Sequence, residues 1–235
     1  MRKVSVLFYI VVLFSGLILM TGCPSVSVMR GPKITPKKKL KFQLQPNLIG
    51  AAAAVATPAG NVSGTIPGTL PVLDFALSYG INDFMDVQVH VNTLLYSGIG
   101  MGFQAVRGAA DGLLDVALAF EVGGLFLSFS DPTSSGNSVG VSYLNVPLYG
   151  LFGLNLSKTV ALHVAMGYQF SRGLASAGAS VELVSHVLLG GVGIQFDVSK
   201  TVSLKPQLSF FYPLVAGGAF QFILWDASLG VNFTF

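Results

Sequence analysis

Leu229-Gly230-Val231-Asn232-Phe233-Thr234-Phe235 carries a bulky apolar side chain at every second position, up to a final phenylalanine. A strand with this period shows one greasy face and one small or polar face, the alternation required where lipid lies on one side and an enclosed lumen on the other. The same period recurs upstream. Met85, Val87, Val89 and Val91 oppose Asp86, Gln88, His90 and Asn92, and Val160, Leu162, Val164, Met166, Tyr168 and Phe170 oppose Ala161, His163, Ala165, Gly167, Gln169 and Ser171. Read this way, the chain divides into ten strands at roughly 40–57, 70–80, 84–94, 98–107, 113–130, 139–154, 159–172, 181–196, 201–212 and 219–235.

Composition fixes the class. Hydrophobic residues make up 52% of the 235 and charged ones 10%, against roughly 25% charged in an average soluble protein, so much of the surface need not face water. Past residue 22 no apolar stretch reaches the roughly 18 to 20 residues of a spanning helix. An open sheet would leave edge amides unpaired in lipid. The sequence therefore predicts an all-β fold over 40–235, an antiparallel transmembrane up-and-down β-barrel of about ten strands. Eight or twelve are the alternatives, because strand 1 and the 49–70 region divide in more than one way. Leu156-Ser157-Lys158-Thr159-Val160-Ala161-Leu162 and Val198-Ser199-Lys200-Thr201-Val202-Ser203-Leu204 echo one another 42 residues apart, the spacing of one strand pair with its connections. They read as short turns, with Pro58 to Thr69 and Asp131 to Ser138 as the longest loops. In the fifth strand the greasy parity changes after Gly123-Gly124, which predicts a β-bulge there. The sixth changes in the same way near Tyr143-Leu144. Pro206 predicts a bulge or a missing ladder bond, and Tyr79, Tyr143, Tyr149, Tyr168, Tyr212 and Trp225 read as interfacial girdle residues.

The closing strand resembles the C-terminal strand of bacterial outer-membrane β-barrels. That resemblance implies a Gram-negative cell envelope and a terminal aromatic signal, here Phe233 and Phe235, read by the barrel-assembly machinery. The opposite end of the chain carries a second resemblance. Met1-Arg2-Lys3 and the apolar run from Val4 to Met20 form an export signal, and Met20-Thr21-Gly22-Cys23 is similar to the lipobox of bacterial lipoproteins, with Met20 where Leu is usual. It implies a signal peptide over 1–22 and diacylglycerol on Cys23, the chain's single cysteine. Pro24 and Ser25 follow where an Asp commonly retains enterobacterial lipoproteins at the inner membrane, so the resemblance implies outer-membrane sorting. Two alternatives stay open: cleavage after Ser27 within Ser25-Val26-Ser27, and an uncleaved helix. Counted from an N-terminus in the periplasm, an even number of strands returns the C-terminus to the same side.

Residues 23–39 read as a basic, Pro-containing tether between the lipid and the barrel. Arg30, Lys33, Lys37, Lys38, Lys39 and Lys41 concentrate positive charge over residues 24–41 with no acid, while from residue 42 onward five basic residues face ten acidic ones. With no aromatics interleaved, the pattern excludes nucleic acid as a partner. It suits either a solvated spacer or docking to anionic lipid or an anionic envelope polymer.

Lumen-facing parity selects Asp74, Asp86, His90, Asp115, Glu121, His163, Lys205 and Asp226. Enclosed charges must pair or be hydrated, so these residues form either a polar plug or an acidic lining that favours cations and polar solutes. His90 follows Asp86 by four residues, about 13 Å along one strand, too far for a dyad within it. No serine–histidine motif and no histidine metal spacing appears, so no metal, cofactor or catalytic residue is assigned. The expectation is a non-enzymatic outer-membrane barrel, porin-like or structural and surface-interacting. One alternative is a membrane-anchored lipocalin-like barrel that encloses its greasy face; it requires Asp86, Gln88, His90 and Asn92 to face outward. The other is a barrel-embedded hydrolase, which requires lumen histidine, serine or acidic groups to meet within hydrogen-bond reach.

Overall fold

The computed structural model describes residues 30–57, 60–130, 138–176, 180–214 and 220–235. The export segment, Cys23 and the loop at 131–137 lie outside the described residues. Ten strands form: β1 Leu40–Thr57, β2 Gly60–Gly80, β3 Met85–Asn92, β4 Ser97–Gly108, β5 Leu114–Ser130, β6 Ser138–Asn155, β7 Val160–Ser176, β8 Ser180–Asp197, β9 Val202–Pro213 and β10 Phe220–Thr234. Each pairs antiparallel with its sequence neighbours, and β10 returns to β1 to close the barrel. Closure leaves no sheet edge in the apolar band, the condition lipid imposes on a strand-built wall. The C-terminal phenylalanines lie on the closing seam: Phe42 and Phe233 stack at 6.3 Å, and Phe235 exchanges backbone hydrogen bonds with Leu40 at 2.8 and 3.2 Å.

The two faces separate as the alternation requires. Val89 and Leu118 are 50% and 52% exposed on the outside, whereas His90 and Ala117 are 1% and 0% exposed within. Asp86, Gln88, His90 and Asn92 are all buried inside, so the lipocalin-like arrangement does not fit. The connections at 81–84, 109–113, 156–159 and 198–201 share one rim with residues 30–39 and the C-terminus, hereafter the terminal rim. The β3–β4 hairpin, with its tip at 93–96, is shorter than its neighbours. β2 pairs with β3 only over Asp74–Gly80, and β5 pairs with β4 only up to Gly124. Beyond those points β2 and β5 flank a notch in the far rim.

Several expectations are corrected. The segment Pro58–Thr69, read as a loop, is mostly strand, since β2 begins at Gly60 and pairs with β1 from there; the β1–β2 ladder shifts register between Ile49 and Ala51 instead. No bulge forms at Gly123-Gly124: the ladders to β4 and β6 run through the pair in constant register, with Leu125 buried and Phe126 outside. The glycines serve close approach, because a Cβ on Gly123 would collide with the Tyr96 ring and one on Gly124 with the Tyr143 carbonyl. β6 likewise keeps its register through Tyr143. Tyr143 and Tyr149 therefore point into the lumen rather than the girdle, and the Tyr143 hydroxyl donates to Ser171 Oγ at 2.8 Å. Pro206 interrupts the β8–β9 ladder between Gly193↔Gln207 and Phe196↔Leu204 without changing register, the missing-bond outcome. Residues 30–36, expected in the solvated tether, lie within the barrel.

The wall assignment carries a measurable consequence. Leu118→Arg places a charge on the lipid face and should destabilise the barrel by about 2–4 kcal/mol in denaturant unfolding from lipid vesicles. A wall that faced water would tolerate the change within about 0.5 kcal/mol.

Candidate functional site

The lumen is filled in three layers. At the terminal rim the chain preceding β1 enters the barrel, bridging Lys37 to Gly80 before it crosses the mouth. Asp86, pointing inward from β3, forms an ion pair with Arg30 and accepts the Thr35 N–H at 2.8 Å. Gln104 of β4 acts as a surrogate ladder partner: its Oε1 accepts from Ile34 N at 3.1 Å, and its Nε2 donates to Pro32 O at 2.8 Å. Asp115 on β5 accepts from Gly108 N at 2.9 Å and Asn155 Nδ2 at 2.8 Å, and stands 3.6 Å from Lys33 Nζ. Lys205 of β9 donates to Arg30 O at 3.5 Å, and the His163 ring lies against Gly31. Gly102 has no Cβ because one would sit 2.6 Å from both Arg30 and Asp86. Two voids of about 10 Å³ flank the segment, each with room for about one water.

Above this plug is an apolar layer. Ile34 leads it, packed with Ala117, Ala119, Tyr149, Leu151, Leu189, Phe211 and Leu224 in one buried cluster. These residues break the polar lining that parity predicted, and close the middle of the lumen.

The far layer is polar and draws on five strands. His90 of β3 sits between two carboxylates, with Nε2 3.1 Å from Asp74 Oδ1 on β2 and Nδ1 3.2 Å from Glu121 Oε1 on β5. The Tyr96 hydroxyl donates to the same Glu121 oxygen at 2.7 Å, and Asn47 Nδ2 of β1 donates to Asp74 Oδ2 at 2.5 Å. Asp226 of β10 is fully buried, and neither carboxylate oxygen makes a hydrogen bond of normal geometry. All eight residues selected by parity are thus buried inside the barrel, at 0–8% exposure. The structure brings Asp74, His90 and Glu121 together. Asp86, Asp115, His163 and Lys205 instead surround the plug. Sequence reasoning missed Asn47, Tyr96, Gln104, Arg30 and Lys33 as members of these networks; for Gln104 and Asn47 the signal was their polar parity.

The meeting of a histidine with two acids is what the hydrolase alternative required, but its geometry is unsuited to base catalysis. Both ring contacts are hydrogen bonds only when both nitrogens carry protons, which leaves no lone pair to accept another. His90 is also sealed at 1% exposure. Among the described residues no group of three or more His, Cys, Asp or Glu is arranged to hold a metal ion.

No family model and no curated protein matches the chain. Solved structures do. The chain is similar to the outer-membrane protease OmpT of Escherichia coli, with TM-score 0.53 and 5% identity over 86% of this chain and 98% of that one. It is also similar to an outer-membrane channel from Pseudomonas putida F1, with TM-score 0.50 and 10% identity over 89% and 100%. The fold is that of the outer-membrane β-barrels.

Asp86 holds the plug from two sides. Asp86→Ala removes a buried pairing worth about 3 kcal/mol and should expose the plug roughly a hundredfold more often, read as faster trypsin cleavage after Arg30 by mass spectrometry. Cleavage at the wild-type rate would show that Asp86 does not retain the segment.

Proposed function

We propose that this protein is a lipid-anchored, non-enzymatic barrel of the outer membrane, sealed at rest by its own N-terminal segment, that works as a structural and surface-interaction element. The observation that carries this reading is the Arg30–Pro36 segment bound across the mouth by Asp86, Gln104 and Asp115, below a closed apolar layer. A porin-type solute path needs a continuous aqueous lumen, and among the described residues the two voids beside the plug each hold about one water. The similar structures include a protease and a channel. The locked His90 favours neither activity here.

The remaining elements of the reading follow the same physics. Short connections gather at the terminal rim, the arrangement of periplasmic turns, so both termini face the periplasm, and the assembly machinery reads Phe233 and Phe235. Strands of 17 to 21 residues such as β2, β5, β6 and β8 exceed the roughly 9–11 needed to span. They project beyond the bilayer on the outer side. There the edges of β2 and β5 flanking the notch expose backbone to a partner strand. Cys23 supplies the anchor through diacylglycerol at the mature N-terminus.

Two measurements test the proposal. Wild-type protein in planar bilayers should give no discrete conductance steps, and regular steps would refute the sealed state. The mature protein should begin at Cys23 with the mass of its acyl chains, a mass that Cys23→Ser abolishes; an N-terminus at Val28 would instead establish cleavage after Ser27.

A further inference from the structure

The distribution of unpaired charge is lopsided. At the terminal rim Lys37, Lys38, Lys39, Arg107, Lys158 and Lys200 are exposed, and among the described residues none of them forms an ion pair. The acids on the same rim are fewer: Asp83, Asp111 in the 109–113 connection, and Asp197, which accepts from Gln195 Nε2 at 2.7 Å. Toward the far end, Arg172 is already matched by Glu182 at 2.8 Å.

The topology sets where these cations stand. Lys37–Lys39 adjoin Gly80 at the β1–β2 junction, Arg107 ends β4, Lys158 caps the β6–β7 turn and Lys200 the β8–β9 turn. They therefore encircle the barrel instead of forming one patch. The two echoed turns are built alike. Ser157 Oγ accepts from Thr159 N at 3.2 Å and Val160 N at 3.0 Å, and Ser199 Oγ accepts from Thr201 N and Val202 N at the same two distances. Each presents a lysine at its apex, two residues after an outward apolar side chain, Leu156 or Val198. Leu40 beside Lys39 repeats the pairing. An apolar foot with a cation just beyond it is the geometry of a side chain at the edge of the hydrocarbon, stem in lipid and charge at the head groups.

We infer that the terminal rim is a binding ring for the anionic head groups of glycerophospholipids in the leaflet that surrounds it. A polymer or protein docking from the periplasm would meet one face of the rim, and the plug occupies its centre; only lipid contacts the whole circumference. The inference rests on the proposed orientation for which leaflet is engaged, but the chemistry of the ring does not depend on it. Such attraction is screened beyond about 10 Å at 0.1 M salt.

The test uses mature full-length protein in nanodiscs of equal phosphatidylglycerol and phosphatidylcholine, with the lipids retained counted by native mass spectrometry. Wild-type protein should retain phosphatidylglycerol in roughly threefold excess at low salt, falling to parity in 0.5 M salt. The triple variant Arg107→Gln/Lys158→Gln/Lys200→Gln should fall toward parity at low salt. Equal retention by the wild type, or an excess that high salt leaves unchanged, overturns the inference. Orientation is read separately: Lys158→Cys in a Cys23→Ser background should react with an impermeant maleimide only after the outer membrane is permeabilised. Labelling in intact cells would reverse the orientation and reassign the ring to the outer leaflet, leaving the nanodisc result to judge the chemistry.

Discussion

Five carboxylates enclosed by an apolar wall constrain the rest of the molecule. Asp74, Asp86, Asp115, Glu121 and Asp226 are buried, and a buried carboxylate without compensation costs several kcal/mol. The barrel's own strands supply the buried Lys205 and the His90 ring between Asp74 and Glu121. Arg30 and Lys33 come from outside the barrel domain, on the chain that crosses the mouth. The N-terminal segment is therefore part of the lumen's electrostatics, and its removal leaves an acidic mouth.

This explains what the sequence revealed and what it hid. Period-2 alternation located β3 and β4 within two residues, because each wall residue must choose lipid or lumen and a one-residue slip reverses every choice. The eight interior titratable residues followed from the same parity. What parity cannot give is which of them meet. His90 joins Asp74 and Glu121 through registers set independently between β2 and β3, β3 and β4, and β4 and β5, and nothing local to His90 encodes that sum. The tether was misread for a related reason. Arg30, Lys33 and Pro36 look like a solvated linker by composition, and only the complementary Asp86, Gln104 and Asp115 on three separate strands show otherwise.

The errors in β5 and β6 have one source. Leu125 and Tyr143 are bulky residues at lumen positions, where bulk in the sequence alone reads as lipid-facing. In a filled barrel that inference fails, since the interior must be packed as any core is. Tyr143 meets both demands, its ring filling space and its hydroxyl donating to Ser171. Gly123 and Gly124 then make room for Tyr96 and the Tyr143 carbonyl. A wide, water-filled barrel would have kept the parity and needed neither glycine.

The plug's contacts differ in weight. Lys33 is half exposed and stands 3.6 Å from Asp115, a pair of the kind worth no more than about 1 kcal/mol. Asp86 instead accepts a backbone amide and a guanidinium where both side chains are under 10% exposed, and Gln104 satisfies two backbone groups that would otherwise be stranded in the lumen. Few residues separate these contacts from Leu40, so the segment is held at high effective concentration and needs little intrinsic affinity to stay. At the other end, six residues separate Cys23 from Arg30, seven Cα-to-Cα steps with a reach of about 25 Å at full extension. An acyl chain on Cys23 would thus tether the plug close to the rim, and pulling on that anchor would act on Arg30 and Asp86 before it acted on the wall.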